Sequence, residues 1–447
     1  MDRGALRPAA GPRHRPAAGH AMKRWLQTQD EGGLLRHGAL LVAGTFVGAL
    51  CNAGFHMVVG REAVLPNAEY GSLVAMLGII LAASTPMLAV QNTLAHFISR
   101  LVKDGRREEA LELFLHWARL FAVVGGAIVA GAFAFRAPLA AFWGGVDPAL
   151  IVATFAVLAA SLWMSLFYGL LQGLQSFVWL AWAPQAWGAT RLVLGGLFTI
   201  FISATALAAV AAQGLGVLAV LALCLWAVRG LRRLPGRAAV RPHETYLYLG
   251  SALVCLAGYA TLMNVDTVLA KHYFGAETVG RFAKAATIAR IAVFLPVPVA
   301  TVLFPKVTST GDLPDDSWRL LGRALGFAAL LIAGTGAVCV AFPQLPWTIL
   351  YGPIPPAAAA EAAALTRAMV LAMCPLALAY LLLNFEMAQQ RFAWCYGLIP
   401  CALAYVGGVA LWHDRPEQIP LALGAANLVA LGLLVAGIRA QRRRRAA

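Results

Sequence analysis

Residues 264–307 read NVDTVLAKHYFGAETVGRFAKAATIARIAVFLPVPVATVLFPKV, and this stretch decides the fold. An apolar span ends, a short turn carries GAETVG at 275–280, and a second apolar span runs to a Phe-Pro stop. A weaker copy of the unit occupies residues 61–101, with EYG at 69–71 in its turn and Pro86 inside its second span. A two-helix unit repeated in each half of a chain is typical of two-lobed membrane transporters.

The composition is that of a helical membrane protein. The chain has 447 residues, of which 60% are hydrophobic and 12% are charged, whereas soluble proteins contain about 25% charged residues. Its apolar runs are long enough to cross the hydrocarbon core, which takes about 20 residues of helix. We therefore predict an all-α polytopic membrane protein with twelve transmembrane helices. The predicted spans are 37–59, 71–98, 113–135, 149–173, 178–203, 205–228, 246–270, 279–304, 319–342, 362–387, 393–411 and 418–438.

The positive charges set the orientation of these spans. The net charge is +15, and most of the cations lie in alternate loops on one side of the predicted spans, which the positive-inside rule places in the cytoplasm. Both termini are then cytoplasmic, and nucleic-acid binding is not expected. The predicted regions are a disordered basic cytoplasmic tail at 1–35, an N-terminal six-helix lobe at 36–228, a basic cytoplasmic linker at 229–245, a C-terminal six-helix lobe at 246–438 and a basic tail at 439–447.

Enzymatic, metal-binding and cofactor motifs do not stand out in the chain. The seven cysteines form no C-x-x-C pair, and His37, His56, His96 and His116 share no ligand spacing. A Gly-rich loop ending in Gly-Lys-Ser/Thr, which would bind a nucleotide, is not found either. We expect no bound metal, no cofactor and no enzymatic activity.

Five short motifs together resemble a known family. They are NVD at 264–266, GAExxG at 275–280, LFP at 303–305, EYG at 69–71 and NFEMAQQR at 384–391. The pattern resembles the polysaccharide-transport branch of the multidrug/oligosaccharidyl-lipid/polysaccharide flippase superfamily. One departure is that Arg281 and Lys284 follow the turn glycine, where that family usually has an aromatic residue and small residues.

The resemblance implies two six-helix lobes around a central cavity that opens alternately to each side of the bacterial inner membrane. It implies that the protein moves an undecaprenyl-pyrophosphate-linked oligosaccharide to the periplasmic leaflet, for surface or exopolysaccharide biosynthesis. Membrane lipids, a polysaccharide polymerase and a chain-length regulator are the partners expected in that role. An ion-coupled multidrug-type antiporter of the same superfamily is an alternative function, and an integral-membrane polysaccharide polymerase or glycosyltransferase is another.

Two arginines are the deepest formal charges in the predicted spans. Arg191 lies near the middle of 178–203, and Arg290 lies near the middle of 279–304. Charges at mid-membrane are costly and usually face a cavity or a partner, and arginine suits a pyrophosphate because its planar fork matches phosphate oxygens. Alternatively, Arg191 stacks on Trp187 or pairs with a polar neighbour, and Arg290 bonds to backbone carbonyls freed by nearby prolines.

Further candidates lie at the second turn. Arg281 and Lys284 begin the eighth span, where they either contact the anionic headgroup or anchor the helix at the membrane interface. Asp266, with Asn264, is a candidate for proton or Na⁺ coupling, although Asp266 could instead neutralise Arg281 or Lys284 across the turn. Three amides of the first two spans are candidates for sugar recognition, or else for hydrogen bonds between helices. These amides are Asn52, Gln91 and Asn92.

Overall fold

The computed structural model describes residues 33–230, 243–294, 314–389 and 391–446, and the regular elements in those ranges are all helices. Those of the N-terminal half are α1 (Gly33–Val59), α2 (Asn67–Ser84), α3 (Met87–Lys103), α4 (Arg107–Ala134), α5 (Arg136–Phe142), α6 (Pro148–Gly173), α7 (Phe177–Leu197) and α8 (Ala206–Ala227). Those of the C-terminal half are α9 (His243–Asn264), α10 (Asp266–Tyr273), α11 (Ala276–Phe294), α12 (Pro314–Ala341), α13 (Gln344–Tyr351), α14 (Ala359–Ala388), α15 (Leu398–Leu411) and α16 (Gln418–Ala446).

The helices coincide with the twelve predicted spans. Within the described residues, eight are long and apolar enough to cross a membrane, and the bent pair Leu249–Asn264 and Asp266–Tyr273 makes a ninth. Two shorter apolar helices, Ala43–Val59 and Cys395–Leu411, lie on two further predicted spans. The remaining span, 279–304, is helical as far as it is described. The predicted Phe-Pro stop, most of the linker and most of the N-terminal tail lie outside the described residues.

Two spans are broken along their length. The second span divides at Thr85 and Pro86 into α2 and α3, because proline lacks the N–H that would continue the helix and its ring crowds the preceding turn. The seventh span divides at Val265 into α9 and α10, which meet at an angle of 51°. At this second break, α9 ends at Asn264 and α10 begins at Asp266.

The two halves pair their helices in the same pattern. In the first half α1 packs on α7, α3 on α6, and α6 on α8. In the second half α9 packs on α15, α11 on α14, and α14 on α16. Each of these pairs corresponds to the pair six predicted spans earlier, so the repeat seen in the sequence is a repeat of three-dimensional structure. The halves form an N-terminal and a C-terminal lobe.

The lobes meet through the helices that follow the two turns. Helix α2 packs against α9, α10 and α11, and α13 packs against α1. We call the end of the molecule that carries the turns at 60–66 and 274–275 the hairpin end. At the opposite end the lobes also touch, where His116 Nε2 lies 2.8 Å from the Tyr246 hydroxyl.

Candidate functional site

The two turn glycines lie in contact at the hairpin end. A Cβ atom on Gly280 would lie 2.2 Å from the backbone oxygen of Asn67, and one on Gly71 would lie 2.8 Å from the backbone nitrogen of Gly280. A Cβ atom on Gly78 would likewise lie 2.7 Å from the backbone oxygen of Asn264. The backbones of α2 and the C-terminal lobe therefore touch directly, which glycine permits because it has no side chain.

Lys284 lies buried in this interface. Its ammonium donates a hydrogen bond to Asn67 Oδ1 at 2.6 Å, and it sits 5.4 Å from the ring centre of Tyr351 and 6.0 Å from that of Tyr70. The residue is 4% exposed, so it does not reach a membrane interface as anchoring would require. The reason is that the α11 face that carries Lys284 packs against α2 of the other lobe, which leaves the side chain no path to the surface.

A row of hydroxyl and imidazole groups continues from Lys284 into the N-terminal lobe. The Tyr70 hydroxyl lies 3.2 Å from the Tyr351 hydroxyl and 3.5 Å from Thr287 Oγ1, both in the C-terminal lobe. On its other side it lies 3.0 Å from His56 Nδ1. The Tyr351 ring is seated against Gly60, since a Cβ atom there would lie 2.4 Å from Tyr351 Cε1. Helix α13, which the sequence analysis did not predict, thus places a tyrosine between the lobes.

Arg191 lies at the inner end of this row. Its guanidinium donates to Asn52 Oδ1 at 2.7 Å and lies 3.3 Å from His56 Nε2. The guanidinium carbon also lies 3.9 Å from the ring centre of Phe55 and 5.3 Å from that of Trp187, at which distance a cation is attracted to the ring face. Both local alternatives raised by the sequence, stacking on Trp187 and pairing with a polar neighbour, are present.

These groups form one inter-lobe polar cluster, and its two cations lack acidic partners. No carboxylate of the described residues lies within 4 Å of Arg191 or Lys284. A buried charge without a counterion is costly to maintain. The cluster therefore carries positive charge at the boundary between the lobes without a direct ion-pair partner in the described residues, and the carboxylates of Glu62 and Glu277 act on Lys284 only from a longer distance. Its members are Asn52, His56, Asn67, Tyr70, Arg191, Lys284, Thr287 and Tyr351.

Arg290 belongs to a separate ion pair inside the C-terminal lobe. Its Nη2 atom forms a short contact with Asp266 Oδ1, and its Nε donates to the backbone oxygen of Met263 at 3.3 Å. Asp266 therefore pairs with Arg290, and not with either of the cations that the sequence offered across the turn. One of those, Arg281, instead lies 3.0 Å from a carboxylate oxygen of Glu361.

Of the candidate amides, only Asn52 joins the cluster. Asn52 belongs to the inter-lobe polar cluster, whereas Gln91 donates to Gln172 Oε1 at 3.1 Å within the N-terminal lobe. Asn92 is half-buried on the same helix as Gln91. Asn264 donates to the backbone oxygen of Ala260 in its own helix.

Five members of the cluster are not among the site residues that the sequence predicts: His56, Asn67, Tyr70, Thr287 and Tyr351. His56 was grouped with scattered histidines, although its position four residues after Asn52 places both on one face of α1. Tyr70 was read only as part of a turn motif. Tyr351 lies outside every predicted span, and no local signal marks it, because its role depends on where α13 docks.

The comparisons with known proteins rest on structure. No protein-family model matches the chain, and no curated protein matches it. The structure is similar to that of the lipid II flippase MurJ in an inward closed conformation, with a TM-score of 0.72 and 11% identity over 90% of this chain and 87% of MurJ. It is also similar to an inward-facing multidrug resistance MATE family transporter of the MOP superfamily, with a TM-score of 0.69 and 14% identity over 89% of this chain and 96% of that one.

A MOP superfamily transporter from Pyrococcus furiosus is similar as well, with a TM-score of 0.65 and 14% identity over 92% of this chain and 94% of that one. The chain shares the fold of these three transporters. The shared fold confirms the predicted all-α architecture of two six-helix lobes. At these identities the likeness establishes the fold.

Proposed function

We propose that this protein is a flippase that moves an undecaprenyl-pyrophosphate-linked oligosaccharide across the bacterial inner membrane by alternating access, for surface or exopolysaccharide biosynthesis. The observation that carries the proposal is the pair of buried cations, Arg191 and Lys284, with no carboxylate of the described residues within 4 Å of either. A pyrophosphate would supply the missing negative charge, and its oxygens would accept the donors that both side chains present.

The fold supports a lipid-linked substrate. The MurJ structure to which this chain is similar is that of a lipid II flippase. In our proposal the hairpin end faces the periplasm, both termini face the cytoplasm, and a polysaccharide polymerase and a chain-length regulator act on the exported unit. Gln91 and Asn92 are candidates to contact the sugar. Arg281 is paired with Glu361, so it would contact the headgroup only after that ion pair breaks.

The sign of the charge argues against the alternative of a multidrug-type antiporter that exports cationic compounds. A cation entering between the lobes would meet Arg191 and Lys284, and like charges in a site of low dielectric repel strongly. The buried carboxylate of Asp266 is neutralised by Arg290. The site thus favours an anionic ligand.

Asp266 and Asn264 are our candidates for ion coupling. Asn264 Oδ1, Asp266 Oδ2 and Thr267 Oγ1 are buried and have no hydrogen-bond partner in the described part of the chain. Oxygens of this kind suit a hard cation or a proton. When equal amounts of folded protein are compared, we expect Asp266→Asn to abolish the dependence of transport on a Na⁺ or proton gradient, and a retained gradient dependence would contradict the assignment.

The test of the function is translocation by the full-length chain in proteoliposomes. A fluorescent undecaprenyl-pyrophosphate oligosaccharide becomes protected from an impermeant glycosidase as it crosses the bilayer. Each of Arg191→Gln and Lys284→Gln removes a charged hydrogen bond, so we expect the rate to fall by about tenfold or more. Arg136→Gln is the control, because Arg136 is an exposed cation bonded to the backbone of Phe133.

Unchanged rates in both variants, with normal amounts of protein, would rule out the two cations as the headgroup site. Export of a cationic dye in place of the lipid would favour the antiporter. Arg290→Ala is less informative as a test, because it leaves Asp266 as an unpaired buried carboxylate and destabilises the lobe.

A further inference from the structure

His56 occupies the middle of a directional chain of hydrogen bonds between the lobes. The Arg191 guanidinium is only a donor, so His56 Nε2, 3.3 Å away, must be an acceptor. A neutral imidazole with an acceptor at Nε2 carries its hydrogen at Nδ1, which then donates to the Tyr70 hydroxyl at 3.0 Å. The Tyr70 hydroxyl is free to donate to Tyr351 across the interface at 3.2 Å. The bonding pattern therefore requires His56 to be neutral in this conformation.

The charged groups that act on His56 are both cations, Arg191 and Arg290. Arg191 from α7 touches the ring, Tyr70 and then Tyr351 lie beyond Nδ1, and Arg290 of α11 is the next cation on that side. Phe55 meets the ring edge-on from the same helix. No carboxylate of the described residues lies within 4 Å of the imidazole.

A proton on Nε2 would end this arrangement. The nitrogen would become a donor that faces the donors of Arg191, and two positive groups would lie in contact. An anion on Arg191 changes the balance, since its oxygens accept from both the guanidinium and an imidazolium. Because Nδ1 keeps its hydrogen when Nε2 is protonated, the bond to Tyr70 is lost only if the ring turns towards that anion, and the bond from Tyr70 to Tyr351 then loses its support.

We propose that His56 is a proton-binding residue linked to the anion site: the phosphate group that binds Arg191 brings a proton onto His56 Nε2 and releases the Tyr70–Tyr351 contact between the lobes. The proton comes from solvent and returns to it when the anion leaves, with no covalent bond formed or broken elsewhere. By linkage, anion and proton each favour the binding of the other to the same extent. The inference rests on the proposed function, because it needs an anionic ligand at Arg191.

The experiment is calorimetric titration of the detergent-solubilised full-length chain with inorganic pyrophosphate. Repeating it in buffers of different ionisation enthalpy at one pH gives the number of protons taken up on binding. Because pyrophosphate itself titrates, the informative quantity is the difference between the unmodified chain and His56→Gln at the same pH. We expect the unmodified chain to take up about one more proton than the variant. We also expect it to bind pyrophosphate between about 5- and 150-fold more tightly at low pH than at high pH.

His116→Gln is the matched control. His116 also lies next to a tyrosine of the other lobe, Tyr246, but at the opposite end of the molecule. The His116→Gln variant should take up as many protons on binding pyrophosphate as the unmodified chain. Equal proton uptake in His56→Gln and the unmodified chain would overturn the inference and leave the anion site standing. No binding of pyrophosphate by the unmodified chain would overturn the proposed function itself.

A second variant tests the contact between the lobes and does not depend on the stability of His56→Gln. Tyr351→Phe removes one hydroxyl and keeps the ring that packs on Gly60. Hydrogen exchange of residues 344–351 should speed up in this variant without any ligand, and in the unmodified chain only when pyrophosphate is added at low pH. If pyrophosphate leaves the exchange of this helix unchanged in the unmodified chain, His56 does not control the contact and the inference is wrong.

Discussion

Gly71 and Gly280, one from each copy of the repeated unit, touch across the boundary between the lobes. A side chain on either would collide with backbone atoms of the opposite lobe. The same two residues marked the repeat in the sequence. Their glycine identity is thus explained by the closeness of two helices at the hairpin end, around which the inter-lobe polar cluster is arranged.

Gly280→Ala should weaken the closed hairpin end. The added methyl group would meet the Asn67 backbone, and overpacking of this kind costs about 1–3 kcal/mol. The thermal unfolding midpoint should fall, and hydrogen exchange of residues 67–74 should speed up. Gly275→Ala is the control in the same turn, since a Cβ atom there meets nothing within 4 Å. Equal effects of the two substitutions would show that the close approach does not limit stability.

Asn67→Asp should hold the lobes more tightly together. A carboxylate in place of the amide would give Lys284 an ionic partner, and such charge-assisted hydrogen bonds are roughly twice as strong as neutral ones. We expect a higher unfolding midpoint and slower translocation in proteoliposomes. Adding Lys284→Gln should remove the gain in the midpoint. A gain that survives the second substitution would mean that the stabilisation has another origin.

Asp266 and Arg290 should depend on each other for stability. Removing one partner of a buried ion pair costs about 3–5 kcal/mol, because the other charge is left without compensation. Asp266→Asn and Arg290→Gln should each lower the free energy of unfolding by about that amount. The double variant should lose less than the sum, and a double-mutant cycle measures the difference. Strict additivity would argue that the pair is not formed in the membrane.

Glu69 should stabilise the start of α8. Its carboxylate accepts a hydrogen bond from the backbone nitrogen of Ala206 at 2.7 Å, and loss of a helix cap costs about 0.5–2 kcal/mol. Glu69→Ala should lower the unfolding midpoint accordingly. Glu62→Ala removes an exposed carboxylate from the same turn and should leave the midpoint in place. A similar loss in both variants would point to the overall charge of the turn and not to the cap.

Much of the fold could be predicted from the sequence. Apolar runs long enough to cross a bilayer gave the twelve spans, because backbone groups in lipid must bond within a helix. Pro86 lies at a real break. The short helices α5 and α13 were not predicted, because they lie between spans, where the apolar-length signal does not apply.

The sequence by itself determined the membrane class, the span count, the repeat and the two deep arginines, since burial of charge and backbone in lipid depends mainly on composition and position. Only the tertiary structure decided their partners. Arg290 met Asp266 in its own lobe, whereas Arg191 and Lys284 met amides and aromatic rings. The packing of α2, α11 and α13 across the lobes sets the partner of each buried cation. Contacts between residues so distant along the chain leave no local pattern in the sequence.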